Sequence, residues 1–181
     1  TASPVSPGFL ADFSVTSSRL ANHWLVHWPL YTTFATYRGF VRNMLAAEII
    51  STIKDLDFPA GEHVVFGGGC LALRDIREAS DLDLFVTKEV FDKSLANNNW
   101  ACNSFNGRNP HLIGQLRGVE VQLFSEWDKD EAWQPDIRGY LERPEFVRGI
   151  ACMPLAELLE WKGSIARPKD IRDIRLVNNW Q

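Results

Sequence analysis

Three consecutive glycines, Gly67-Gly68-Gly69, separate a short apolar run from the pair Asp81-Leu82-Asp83, with eleven residues, Cys70 to Ser80, between them. The run His63-Val64-Val65-Phe66 reads as a buried strand. Glycines after it force a turn and let the backbone come close to a bound group, because no side chain fills the space. Cys70 to Arg77 is predicted to be a short helix. A strand, a glycine turn and a helix in succession aim backbone N–H groups at one point, which attracts phosphate. Asp81 to Val86 reads as a second strand, on which Asp81 and Asp83 face one side while Leu82 and Leu84 face the core. Two adjacent carboxylates repel, which raises one of their pKa values unless a cation neutralises them. Mg²⁺ suits such a pair, since it takes one or two carboxylates together with phosphate oxygens and water. A two-metal version places a second ion about 3.5–4 Å from the first.

The rest of the chain alternates helix and strand signals. Residues 1–15 are rich in Ser, Pro and Gly and are expected to lie as an arm. Ser17 or Ser18 is placed to cap a helix running through Leu20, Trp24, Leu25 and Trp28, interrupted by Pro29. A stronger helix is predicted from about Thr36 to Leu56, where Phe40, Met44, Leu45, Ile49, Ile53 and Leu56 form one apolar stripe suited to packing on a sheet. Pro59-Ala60-Gly61 ends it. Lys88 to Ala96 is another helix, Leu112 to Leu116 a strand, and Val119 to Phe124 a half-buried strand by its alternation. Glu126 to Pro144 reads as loop or short helices with Trp127 and Trp133 embedded. Pro154 opens a helix carrying Leu155, Leu158 and Leu159; Pro168 stops it, and Lys169 to Val177 starts the next. The expected class is α/β (α+β), with residues 1–60 as an arm and helical extension and residues 61–181 as the domain that carries the glycine and aspartate motif.

Composition narrows the partners. With 181 residues and 45% apolar content, a sizeable core needs no disulfide or metal staple. The net charge of −4 argues against extended duplex nucleic acid as a partner, although a small RNA end stays open. Cys70, Cys102 and Cys152 form no CxxC pair, which fits a reducing, cytoplasmic setting. No apolar run is long enough to span a bilayer. Thr1-Ala2-Ser3-Pro4 lacks the basic flank and apolar core of a signal peptide. It also lacks a methionine, so a trimmed or longer protein stays open.

The segment Gly68-Gly69 through Ser80-Asp81-Leu82-Asp83-Leu84 resembles the signature of the nucleotidyltransferase superfamily, the group with the polymerase-beta-like palm. The C-terminal stretch, Lys162 and then Arg167-Pro168-Lys169-Asp170-Ile171-Arg172-Asp173, is similar to small bacterial members, among them abortive-infection-type toxins and antibiotic-modifying relatives. The resemblance covers roughly residues 62–125 and 152–177. It implies a mixed sheet flanked by helices, one or two Mg²⁺ ions, and transfer of a nucleotidyl group from a nucleoside triphosphate, with ATP the expected donor, to an acceptor. By that analogy Asp81 and Asp83 hold metal, and a third carboxylate is metal ligand or base. Gly68, Gly69, Ser80, Arg77, Lys162 and Lys169 are the candidate nucleotide contacts.

The third acid departs from the pattern. Relatives place it directly before a hydrophobic pair, where this chain has Gln122 in Val121-Gln122-Leu123-Phe124. Glu120, on the same face by alternation, is the remaining candidate for both metal and catalysis. A glutamine cannot act as a base, so a nucleotide-binding protein without transfer activity is the rival expectation. A third is an interaction module in which the aromatic N-terminal helices form a homo-oligomer or partner surface. Other features have plainer readings. Arg74 and Arg77 are expected to pair with Asp75 or Glu78 on the surface. His23 and His27, flanked by Trp24 and Trp28, read as aromatic packing. Cys70 reads as a small buried residue.

Overall fold

In the computed structural model, helix α1 (Ala46–Leu56) begins where the Glu48 side chain folds back to accept the Leu45 N–H at 3.0 Å. It turns Ile49 and Ile53 of the expected stripe inward, together with Ala46 and Thr52. Leu45, counted in that stripe, instead precedes the first turn and is 58% exposed. The structure describes residues 43–129, 131 and 133–180. The chain divides into two units, Thr1–Gly39 and Phe40–Gln181, and all described residues belong to the second. The expected arm, the helix with His23 and His27, and the start of the helix predicted from Thr36 lie outside the described residues.

After α1 come β1 (His63–Phe66), α2 (Gly68–Leu73), β2 (Leu82–Val86), α3 (Lys88–Leu95), β3 (Trp100–Phe105), β4 (Arg108–Leu116) and β5 (Val119–Phe124). They are followed by α4 (Ile137–Glu142), β6 (Glu145–Val147), β7 (Ile150–Cys152), α5 (Leu155–Ile165) and α6 (Pro168–Trp180). The strands form one seven-stranded sheet in the order β3-β4-β5-β2-β1-β7-β6. β2 runs parallel to β5 and β1 parallel to β7, while the other neighbours are antiparallel. This is the mixed sheet flanked by helices that the resemblance implies. Among the described residues no helix is long and apolar enough to cross a membrane.

The two sheet faces bury different chemistry. On one, Gly69 of α2 packs between Val65 and Leu82 with Ile49 of α1 close by, an aliphatic layer. On the other, Phe66 and Phe85 stack with ring centroids 3.9 Å apart. Phe124, Trp127, Trp161 and Tyr140 extend this aromatic layer. Among the described residues, Phe66, Phe85, Phe124, Tyr140 and Trp161 are buried in the core.

Several elements differ from the sequence expectation. The edge strand β3 lies outside the sequence expectation: Ala101 to Phe105 are all exposed, and Ala-Cys-Asn-Ser-Phe shows no alternation of polar and apolar residues. β4 is longer than the predicted 112–116, and three-residue β6 and β7 form a hairpin turned at Arg148 and Gly149, both at positive φ. α2 stops at Leu73 rather than Arg77, because Asp75 adopts φ 58°. Pro168 is the first residue of α6, a position where its missing N–H costs nothing.

Candidate active site

Strand register assembles the site. Phe66 of β1 and Gln122 of β5 are the cross-strand partners of Asp83 on β2. Asp81 sits just before β2 on the same face by alternation, and Ser80 Oγ donates to Asp81 Oδ1 at 3.0 Å. Leu82 and Leu84 are fully buried on the opposite face.

The glycines divide the labour differently from the expectation of Gly68 and Gly69 as a phosphate cradle. Gly67 has φ 66°, and a Cβ there would stand 2.5 Å from Asp83 Oδ2. This glycine is thus required both by backbone conformation and by close approach of the carboxylate. Gly68 opens on a cavity, near the Arg77 guanidinium. Gly69 is buried, its missing Cβ only 2.8 Å from Val65 Cγ1, and it lies outside the cavity wall. Gly69→Ala is therefore expected to act through overpacking, costing about 1–3 kcal/mol in a urea titration. Affinity per folded molecule should stay unchanged; a selective loss of ligand affinity would instead give Gly69 a direct role.

The cavity holds about 540 Å³. One part of its wall is charged: Gly67, Gly68, Ser80, Asp81 and Asp83 on the sheet side, with Lys162, Lys169 and Arg172 from α5 and α6. Another part is aromatic, made by Phe105, Phe124 and Trp127, with Phe66 and Trp161 also lining the space.

Behind the charged part lies a buried ion network. Lys162 Nζ stands 2.8 Å from Asp173 Oδ2 and 3.4 Å from Asp170 Oδ1. Arg77 grips Asp173 with two hydrogen bonds, at 2.5 and 2.8 Å, and Arg167 grips Asp170 at 2.6 and 3.2 Å. Burial alone would raise both aspartates. Bonds from Arg167 to Asp170, and from Arg77 and Lys162 to Asp173, outweigh it and hold both carboxyls below their ordinary range. Arg77 and Lys162, expected as nucleotide contacts, thus reach the cavity wall with their charge already engaged. Lys169 and Arg172 stand on the same wall and are exposed. The expected surface pairing of Arg74 and Arg77 with Asp75 or Glu78 is not what forms. Arg74 pairs with Glu145 at 2.7 Å, Arg77 with Asp173, and Asp75 with Arg148. The early end of α2 removes the helical spacing that expectation assumed.

Burial pushes the Asp83 carboxyl well above the usual carboxylate range; Asp81 adds to this, and Lys169 and Lys162 offset it only in part. Two carboxylates side by side, one of them buried, repel each other unless a cation neutralises them. Among the described residues no group of three or more His, Cys, Asp or Glu is arranged to hold a metal ion. What the cavity offers is the pair Asp81 and Asp83, a set that fits Mg²⁺ completing its shell with phosphate oxygens and water. Glu120 is half-buried and outside the cavity wall; its Oε1 accepts from Gln122 Nε2 at 2.8 Å. Gln122 itself lines the cavity.

No protein-family model matches this chain, and no curated protein sequence does. Among solved structures, that of "a putative nucleotidyltransferase (TM1012) from Thermotoga maritima" superposes over 77% of this chain and 98% of its own, with a TM-score of 0.49 and 16% identity.

Of the residues proposed from sequence, Gly68, Arg77, Ser80, Asp81, Asp83, Lys162 and Lys169 meet around one cavity, while Gly69 and Glu120 stand off it. Sequence reasoning missed Gly67, whose contact with Asp83 depends on strand pairing. It also missed Asp170 and Asp173 as partners of Lys162 and Arg77. Their spacing of three on one helix was the available signal.

Proposed function

We propose that this chain is a Mg²⁺-dependent nucleotidyltransferase that moves a nucleoside monophosphate from a nucleoside triphosphate to an acceptor hydroxyl. One observation carries the reading: Asp81 and Asp83 share a strand face beside the Gly67-Gly68 turn and look across one cavity toward Lys169 and Arg172. Asp81 and Asp83 would hold the ion, which supplies neutralisation of charge on the phosphates. Gly67 lets the Asp83 carboxylate lie against the turn, Gly68 lets phosphate oxygens approach the backbone, and Lys169 and Arg172 balance the remaining negative charge. In the transfer, the acceptor oxygen bonds to the α-phosphorus and the α–β bridging P–O bond breaks. Pyrophosphate leaves with the electron pair, and the acceptor proton passes to water. The chain's contribution is positioning and charge complementarity. The acceptor class stays open among a small molecule, an RNA end and a protein side chain. Calorimetric titration with MgATP, and with the other triphosphates in parallel, tests the reading. Metal-dependent binding supports it, and no binding of any triphosphate overturns it.

A second reading is favoured by Gln122: a protein of this fold that binds nucleotide without transferring it. Gln122 fills the register position beside Asp83, and its amide occupies the Glu120 carboxylate. On this reading Gln122→Asp should create transfer activity, followed as pyrophosphate release, where wild type has none. Activity in wild type, or no gain in the variant, counts against it.

A further inference from the structure

We infer that the aromatic part of the cavity seats the nucleobase of the bound nucleotide, with Phe105 as its outer stacking wall. This rests on the reading of the charged part as a metal–triphosphate site. Phe105 ends the edge strand β3 and is 50% exposed, yet it lines a concave space. It stacks on His111 with centroids 4.6 Å apart and planes 29° apart. His111 stacks on Phe124 at 4.8 Å and 23°, and Phe105 lies 6.1 Å from Phe124 at 21°, so the three rings form one cluster with nearly parallel planes. Trp127 continues the wall, its ring 5.8 Å from Phe124. An apolar ring left half open at the rim of such a cluster offers surface that gains from being covered, and a flat π-system covers it well.

Continuity with the charged part selects the occupant. Gln122, the cross-strand partner of Asp83, and Phe124 are alternate residues on one face of β5. Phe66, the other cross-strand partner of Asp83, already sets a ring at the level of the acid, and the aromatic wall runs on from it by about 7 Å along the strand to Phe124. One cavity with carboxylates and cations at one end and stacked rings at the other suits a ligand that is polyanionic at one end and planar at the other. Base–aromatic stacking tolerates any base, so discrimination among the four nucleotides is expected to be weak.

The test is calorimetric titration of the full chain in Mg²⁺ with two probes, ATP and inorganic tripolyphosphate, using wild type, Phe105→Ala and Phe105→Trp. Wild type is expected to bind ATP tighter than tripolyphosphate. Phe105→Ala should lower ATP affinity roughly 5- to 150-fold, the range of one lost base stack, and leave tripolyphosphate affinity unchanged. Phe105→Trp should retain ATP affinity. Equal affinity of wild type for the two probes overturns the base seat while sparing the triphosphate reading. So does an ATP affinity unchanged in Phe105→Ala, or equal weakening of both probes, which would mark a purely structural ring. Failure of both probes to bind wild type overturns the charged-site reading and this inference with it.

Discussion

Replacing Asp81 and Asp83 together by alanine is expected to abolish Mg²⁺-dependent triphosphate binding and to lower transfer by at least roughly 10³-fold, while the protein stays folded. The ion these residues would hold supplies several kcal/mol of charge stabilisation, and each 1.36 kcal/mol is tenfold in rate. Calorimetry and pyrophosphate release read the two losses; full activity in either single variant would remove the pair from the mechanism. The same site predicts a gain in stability. A carboxyl whose folded pKa lies above its unfolded value costs stability at pH above the folded pKa and costs none below the unfolded value of about 3.9. Asp83 is such a group, raised by burial and by Asp81. Asp83→Asn should therefore raise metal-free stability at neutral pH by roughly 0.5–2 kcal/mol, a gain that fades as pH falls toward about 4. Urea unfolding across pH measures it. A loss of stability at neutral pH would mean that Asp83 serves as a structural ion-pair partner instead.

The second large effect lies behind the site. Asp173→Ala is expected to destabilise the fold by about 3–5 kcal/mol, because removing one partner leaves buried charge uncompensated. In a chain of this size that lowers Tm by roughly 6–20 °C. Asp173 alone joins Arg77, on the segment before β2, to Lys162 on α5, and it stands on α6. Lys162 is 3% exposed and, without Asp173, keeps the Asp170 carboxylate at 3.4 Å and the Trp161 ring at 5.3 Å. The pH dependence has a defined sign. Asp173 and Asp170 have folded pKa values below their unfolded ones, so their contribution is complete above the unfolded value of about 3.9 and is lost as pH falls through the lower folded values. The Asp173 variant should accordingly lose less stability than wild type over that acid range. A variant as stable as wild type would show that the network contributes nothing net. Exposed pairs such as Lys93–Glu89 and Arg138–Glu142 serve as controls, where substitution should change little.

The acid pair was legible in the sequence because its geometry is local. Alternation on one strand puts Asp81 and Asp83 on one side and Leu82 and Leu84 on the other, whatever the rest of the chain does. The same holds for the glycine turn after β1, for Ile49 and Ile53 on the inner face of α1, and for the proline before α5. These follow from dihedral preferences and from periods of 3.6 and 2, which act within a few residues.

What required the tertiary structure is everything set by pairing across distance. Register between β1, β2 and β5 put Gly67 under Asp83, and Gln122 rather than Glu120 beside it. Packing of α6 against the segment before β2 turned Arg77 and Lys162 from free phosphate ligands into members of a buried network. Strand β3, exposed and without alternation, is held by its pairing with β4, and that pairing carries Phe105 to the cavity. Sequence decided which groups were available and which way each local segment faced them. The fold decided which charges were already neutralised and which remained open to a ligand, because burial and pairing are properties of neighbours that lie far apart along the chain.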